Sequence, residues 1–228
     1  MVTNPNDATM VLLELKDLDQ LPDIVRDYED ALYSIVEWAR AYLIRPHPEL
    51  GRKGPVCPFA RGSLDRGLFY LAVYRGRPAG PEDVAGTLGR YRDWFLELGS
   101  SAGSATQFQT ILVLFPDIAP SDAPALLDAS QEALKAAYVS RGLMIGEFHD
   151  GPPPKGGLWN EEFRPLRSPV PLLAIRHLVP TDFPFLRNDR DFVAAYLANV
   201  ADHEIPAKLR PEVAVALQRF ELAPSATS

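Results

Sequence analysis

The chain is poor in the residues that build disulfides and metal clusters. It contains one cysteine, Cys57, and four histidines among 228 residues. A single thiol excludes an intramolecular disulfide and any site that needs several thiolates. The histidines share neither an HxxxH nor an HExxH spacing, so the sequence gives no support to a multi-histidine metal site. Their positions are His47, His149, His177 and His203.

Long apolar runs and excess positive charge are also missing. No stretch approaches eighteen apolar residues, and no basic segment followed by an apolar one stands at the start, so we expect a cytoplasmic protein without a membrane anchor. The formal net charge of −7 argues against a nucleic-acid partner, because phosphates require a basic surface. An acidic surface instead suits cationic small molecules, such as amine- or guanidine-bearing metabolites.

Several catalytic motifs are absent from the sequence. There is no phosphate-binding P-loop, no GxGxxG after a strand and no GxSxG nucleophile elbow. Around Ser63, the two positions where that elbow requires glycine hold Arg61 and Asp65. These absences disfavour kinases, dinucleotide-dependent oxidoreductases and serine hydrolases.

Hydrophobic periodicity predicts five helices and four strands. Apolar residues three and four positions apart indicate helices, whereas short continuous apolar runs bounded by glycine or proline indicate buried strands. The predicted helices lie at about 21–43, 80–99, 121–142, 189–201 and 206–220. The predicted strands lie at 68–76, 108–118, 143–149 and 172–179.

This order predicts one α+β domain over residues 10–222. Helices alternating with strands favour a mixed sheet of about four to five strands with helices packed against it, and the last two strands are expected to pair antiparallel. The 22 prolines cluster between elements and indicate two long loops rich in proline and glycine, at 45–67 and 150–171. Residues 1–9 are predicted to be a flexible N-terminus and residues 223–228 a flexible tail.

His149 and Cys57 are the residues with the greatest chemical potential. His149 closes an apolar strand just before the turn at Asp150-Gly151, which puts an imidazole at the rim of the sheet. The alternative is a structural turn histidine bonded to Asp150. Cys57 lies in the first long loop and is open to three interpretations: a buried apolar residue, a nucleophile, or a thiolate ligand to iron.

Arginines and aromatic residues are concentrated in the same two loops. Guanidinium groups bind carboxylates or phosphates through two parallel hydrogen bonds, although exposed surface arginines are the simpler explanation. In the second loop, Trp159 and Phe163 are candidates for an apolar wall or lid, or for plain loop anchors. The arginines are Arg45, Arg52, Arg61, Arg66, Arg164 and Arg167.

Three segments in the same order resemble a known family. They are GPVCPFARGSLDRG at 54–67 followed by an apolar strand, GEFH at 146–149, and FRPLRSP at 163–169 followed by another strand. Together they resemble the YqcI/YcgG-like family, which includes haem-dependent N-hydroxylases of guanidine-type metabolites of the guanitoxin-pathway type. The chain also resembles an uncharacterised actinobacterial and fungal group that shares the Cys-Pro-Phe and Phe-His segments.

The resemblance implies a haem site built from the two long loops. It makes His149 the proximal iron ligand, with Phe148 beside it, and leaves Cys57 to line the pocket or to ligate the iron. Arg164 and Arg167 would then pair with the haem propionates, together with Arg66 from the first loop. If His149 does not ligate the iron, His47 and His177 are the alternative ligands.

The implied function is that of a haem-dependent oxygenase in secondary metabolism. Its substrate would be a small amine- or guanidine-containing metabolite that undergoes N-hydroxylation or a related oxidation, with a ferredoxin-type protein as the electron donor. The alternative is a non-catalytic protein that binds haem or another small molecule. A third hypothesis is a cofactor-free enzyme that uses Cys57 as its nucleophile.

Overall fold

A computed structural model describes residues 1–154, 160 and 162–222, without the side chains of 100–104 and 202. The chain forms an α+β fold around a four-stranded mixed sheet, as predicted. The strands of this sheet are β3 (Phe69–Val73), β4 (Thr110–Leu114), β5 (Leu143–Phe148) and β6 (Leu172–His177). Their spatial order is β3-β4-β6-β5. The pair β3/β4 is parallel, whereas β4/β6 and β5/β6 are antiparallel, which confirms the predicted pairing of the last two strands.

The prediction of a loose N-terminus over residues 1–9 is wrong. Strands β1 (Val2–Asn4) and β2 (Asp7–Leu12) form an antiparallel hairpin. The side chain of Asn4 accepts a hydrogen bond from the Asn6 amide and so stabilises the tight turn between them. Leu13 then exchanges two backbone hydrogen bonds with Leu71 and ties the hairpin to the edge of the main sheet. The tail at 223–228 lies outside the described residues.

Two long helices cover the first face of the sheet. They are α3 (Pro81–Ala102) and α4 (Ala129–Val139). Helix α3 begins with proline followed by two acidic residues, which suits the positive end of a helix dipole. The shared core contains Leu88, Phe95, Ile111, Val113, Leu127, Tyr138, Ile145, Leu173 and Ile175, all buried.

The N-terminal helix covers only part of the second face. The segment predicted as one helix at 21–43 is a 3-10 helix at Asp23–Tyr28, helix α1 (Glu29–Trp38) and one turn of π-helix at Ala39–Leu43. The loop predicted at 45–67 contains a short helix, α2 (Ala60–Asp65). These elements pack over the β3 and β4 side of the sheet, and no helix of the described residues covers much of β5 and β6 on this face.

A third apolar cluster packs the C-terminal helices against the outside of α4. Helix α5 (Arg190–Asn199) is capped by Asp189, whose carboxylate accepts the amides of Asp191 and Phe192. Helix α6 (Arg210–Phe220) completes the described chain. None of the helices in the described ranges has both the length and the apolar character that crossing a bilayer requires.

Candidate functional site

A cavity of about 450 Å³ lies on the second face of the sheet, beside the part that α1 and α2 cover. Its floor comes from β4, β5 and β6, and its walls come from α1, the Cys57 loop and α2. It also reaches around the edge strand β5 to Gln131 and Lys135 of α4. Small-molecule sites commonly have volumes of about 300–1,000 Å³ and mostly apolar walls. The apolar part of the wall includes Trp38, Phe59, Phe69, Leu112, Phe148 and Phe185.

The floor consists of three rows of side chains that cross the strands. Because neighbouring strands are in register, each row contains residues that lie directly opposite each other. The first row is Leu114, Leu172 and Phe148; the middle row is Leu112, Ala174 and Gly146; the third row is Thr110, Arg176 and Met144. The two small residues of the middle row leave a depression between larger side chains on either side.

Arg176 is the charged residue of the floor. Its Nη1 and Nη2 donate hydrogen bonds of 2.6 Å to the two carboxylate oxygens of Asp182, and Nη1 also donates to the carbonyl of His177 at 2.9 Å. Burial works to lower the pKa of Arg176, but the ion pair with Asp182 outweighs it and the pKa is raised. The Asp182 side chain is 4% exposed, whereas 31% of the Arg176 side chain is exposed and lines the cavity.

The guanidinium retains donors for a ligand. A guanidinium has five N–H groups, and within the described part of the chain three of them make the bonds to Asp182 and His177. Asp182 is further anchored by the backbone amide of Val179 at 2.9 Å. The carboxylate therefore holds the guanidinium from behind and leaves its remaining N–H groups available to the cavity.

Backbone hydrogen bonds to the end of the π-helical turn and to the residues just after it hold Cys57 at the cavity wall. The Cys57 amide donates to the carbonyl of Leu43 at 2.8 Å, and the Val56 amide donates to the carbonyl of Arg45 at 2.9 Å. Cys57 and Arg176 both line the cavity. No described histidine or carboxylate is hydrogen-bonded to this thiol, so the general base that a cysteine nucleophile requires is not in place.

The formal charge of the described cavity wall is positive. Arg176 and Lys135 line it, and none of its described residues is an aspartate or glutamate. The remaining polar lining groups are neutral, and several are engaged with the backbone: Gln131 Nε2 donates to the carbonyl of Ile145 at 3.0 Å, and Thr110 Oγ1 donates to that of Ile175 at 2.9 Å. In a chain of net charge −7, this cavity is a local exception.

His149 is not placed as a haem ligand. Its side chain is 1% exposed and does not line the cavity. Nδ1 accepts the Gly151 amide at 3.2 Å, which leaves the proton on Nε2, 2.9 Å from the carboxylate of Asp128. An iron ligand needs one ring nitrogen with a free lone pair facing open space, and neither nitrogen meets that condition here. The structural alternative describes this residue better, with Asp128 as the partner in place of Asp150.

The arginines assigned to the propionates do not line the cavity either. Arg164 and Arg167 line a separate open groove of about 610 Å³, where the rings of His47 and Phe163 stack at 4.6 Å. Arg167 Nε donates to the carbonyl of Asp150 at 2.8 Å. The groove adjoins the cavity, because Trp38 lines both and Pro165 and Leu166, between the two arginines, line the cavity.

The other predicted residues are dispersed. The guanidinium of Arg66 lies 4.3 Å from the ring centre of Phe108, on the surface. Phe148 lines the cavity and meets Trp38 edge-to-face at 5.7 Å. Trp159 lies outside the described residues. Of the six residues predicted to hold the cofactor, the cavity therefore contains Cys57 and Phe148.

His177 is half-buried on the opposite face, beneath α3. Its ring lies 4.8 Å from that of Phe95, and Nε2 has no hydrogen-bond partner among the described residues. Burial lowers the pKa of His177 and favours the neutral ring. The described residues contain no group of three or more His, Cys, Asp or Glu side chains suited to a metal ion.

Sequence reasoning missed Arg176 and Lys135. The signal for Arg176 was present, because an arginine inside the apolar strand LLAIRH must find a partner or face a cavity. Lys135 gave no such signal, since a lysine on an amphipathic helix is ordinarily a surface residue.

Comparison with known families adds a classification without a function. A domain of unknown function, DUF6875, matches residues 32–212. The chain belongs to this family. The matched span of this DUF6875 protein includes the floor of the cavity, Cys57, Arg176 and the His149–Asp128 pair. No curated protein and no solved structure matches the chain.

Proposed function

We propose that this protein binds a small organic acid with an apolar body in the sheet cavity. The observation that carries the proposal is the composition of the wall: aromatic and aliphatic side chains, two cations, and no carboxylate among the described lining residues. Apolar surface supplies most of the affinity in such sites, and a few polar groups orient the ligand. Arg176 is suited to that second task, because a guanidinium held by a buried carboxylate is already oriented.

The charge of the wall favours an acid over an amine. The acidic composition of the whole chain suggested amine- or guanidine-bearing ligands, but the surface that a ligand would touch carries Arg176 and Lys135. A cationic ligand would lie against these groups, whereas the carboxylate paired with Arg176, that of Asp182, is 4% exposed and does not line the cavity. Local charge outweighs net charge here, because interactions between exposed charges are screened over about 10 Å in salt.

Ligands of matched length test the proposal. Decanoate, decanol and decylamine share a ten-carbon chain, and isothermal titration calorimetry measures each affinity directly. We expect decanoate to bind about tenfold more tightly than decanol, because hydrogen bonds to charged groups are roughly twice as strong as neutral ones, and decylamine to bind most weakly. Equal or tighter binding of decylamine would overturn the proposal.

A cavity-filling substitution locates the binding site. Ala174 lies at the centre of the floor, so Ala174→Leu should occupy the depression and weaken decanoate binding at least tenfold. Ala207 is exposed in a turn before α6, and Ala207→Leu makes the same chemical change away from the cavity. If both variants bind decanoate like the wild type, the ligand occupies some other surface.

Haem binding through Cys57 is our second candidate function. The favouring observation is that Cys57 lines the cavity and is held there by two backbone hydrogen bonds of its loop. Thiolate is an established axial donor to haem iron. In this site Cys57 would hold the iron, and Arg176 would face a propionate. When bound, the cofactor would supply oxygen activation, as expected for an oxygenase. A ferredoxin-type protein would donate the electrons.

Absorption spectroscopy separates the two functions. Titration of the protein with haemin should produce a Soret band that Cys57→Ser shifts or removes and that a folded His149→Ala variant retains. A band that depends on His149 would return the ligand role to that histidine. Absence of a band in the wild-type protein would remove the haem proposal and leave the organic-acid proposal standing.

A further inference from the structure

We propose that the acid bound in this cavity is an arene carboxylate, whose flat ring lies on Gly146 and Ala174 and whose carboxylate meets Arg176. This inference rests on the proposed organic-acid function and narrows it to one class of ligand. It follows from the shape of the floor. In the middle row, the two strands nearest the edge of the sheet, β5 and β6, contribute only the small residues Gly146 and Ala174.

The space above Gly146 is open. A side-chain carbon placed there would meet one described neighbour within 4 Å, Phe148 Cε2 at 3.4 Å. Glycine inside a strand weakens the sheet, and it commonly marks a place where a ligand or another backbone approaches closely. No described residue other than Phe148 lies within 4 Å of that carbon, so this side of Gly146 is open to the close approach of a ligand.

The depression has the dimensions of a ring. Residues rise about 3.3 Å along a strand, so the Cα atoms of Met144 and Phe148, which border the depression on β5, lie about 13 Å apart. Adjacent strands are about 4.8 Å apart, so Gly146 and Ala174 together offer a strip of bare backbone about two strands wide. A flat ring can cover this strip, whereas a single alkyl chain would leave much of it exposed to water.

The surroundings suit an aromatic ring at one end and an acid at the other. Phe148 and Trp38, already edge-to-face at 5.7 Å, border the depression on one side and can extend the same geometry to a bound ring. Arg176 stands on the opposite side, two residues beyond Ala174 on β6, about 6.6 Å along the strand. That spacing suits a carboxylate attached directly to the ring.

Three probes and one pair of variants test the inference. The probes are 2-naphthoate, its neutral amide 2-naphthamide, and decanoate, each measured by titration calorimetry. We expect 2-naphthoate to bind about tenfold more tightly than either of the others. Gly146→Val, which puts a branched side chain into the depression, should weaken 2-naphthoate at least tenfold and decanoate by a smaller factor, because valine fills less of the depression than the leucine of Ala174→Leu, and a flexible chain can bend past it where a rigid ring cannot.

The control variant is Gly86→Val, an exposed position of α3 where an added carbon meets nothing within 4 Å. It should leave all three affinities unchanged. If 2-naphthoate and decanoate bind alike and Gly146→Val weakens both equally, the arene carboxylate is refuted while the organic-acid function stands. If neither acid binds, both proposals fail. Should Gly146→Val not fold, the ranking of the three probes on the wild-type protein still decides the inference.

Discussion

The His149–Asp128 pair yields the most direct test of the structure. If His149 is a structural residue, His149→Ala should lower the free energy of unfolding by about 3–4 kcal/mol. The bond to a carboxylate contributes about 1.5 kcal/mol, at the low end of the range for charged partners because Asp128 is 26% exposed. The bond from the Gly151 amide adds about 1 kcal/mol, and the space left by a buried ring adds about 1 kcal/mol more.

Urea unfolding followed by circular dichroism measures this loss. For a chain of this length, 1 kcal/mol corresponds to about 2–4 °C, so the melting temperature should fall by about 10 °C. Asp128→Asn keeps an acceptor and should cost about 1 kcal/mol, and the double variant should lose less than the sum, because the two residues share one bond. The control, His203→Ala at an exposed site, should stay within about 0.5 kcal/mol of wild type. A wild-type stability for His149→Ala would refute the bonding scheme.

Three further outcomes follow from buried polar groups and backbone geometry. Burial lowers the pKa of His177, so its contribution to the free energy of unfolding should be constant above the unfolded-state pKa of about 6.5 and fall as the pH drops below it. His177→Phe should flatten this slope in urea midpoints measured between about pH 5 and pH 7.5. An undiminished slope in the variant would show that His177 is not its source. Gly142 has φ of 69° and faces the Asn199 side chain, so Gly142→Ala should cost about 1–2 kcal/mol in thermal unfolding, and less in an Asn199→Ala background. Arg176→Gln leaves Asp182 buried without a cation, so the free energy of unfolding measured in urea should fall by about 2–3 kcal/mol. Adding Asp182→Asn should restore part of this loss. If nothing is restored, the two residues are not coupled.

The two π-helical turns connect the fold to these residues. One, at Ala39–Leu43, offers the Leu43 carbonyl to the Cys57 amide and so positions the thiol at the cavity. The other, at Pro124–Asp128, ends with the carboxylate that holds His149. Single π-helical turns are uncommon and often occur near functional sites, which agrees with their position beside the cavity wall and the end of β5.

The apolar strands could be predicted because strands in a core are short apolar runs bounded by turn residues, and such runs are visible in any stretch of sequence. The β1–β2 hairpin could not, because its first residues are largely polar and its order comes from the Asn4 turn and from pairing with Leu71. Helix α2 was hidden for a similar reason: the glycine and proline around it resemble a loop.

Site residues were predictable only where their position depends on local sequence. Phe148 and Cys57 both reach the cavity, one from a strand and the other from a loop. His149 does end a strand, as predicted, yet its partner comes from a turn 21 residues earlier, and that contact removes the lone pair that a metal would need.

The sequence by itself determined the fold class, the four central strands and the presence of one thiol, because each depends on composition or on short-range periodicity. The tertiary structure alone decided which side chains share a space. Register between β4, β6 and β5 placed the small middle row beside Arg176, and this register is a property of the paired strands, which no single segment encodes. The same packing gathered positive charge into the cavity of an acidic protein, since a side chain's environment depends on its neighbours in space.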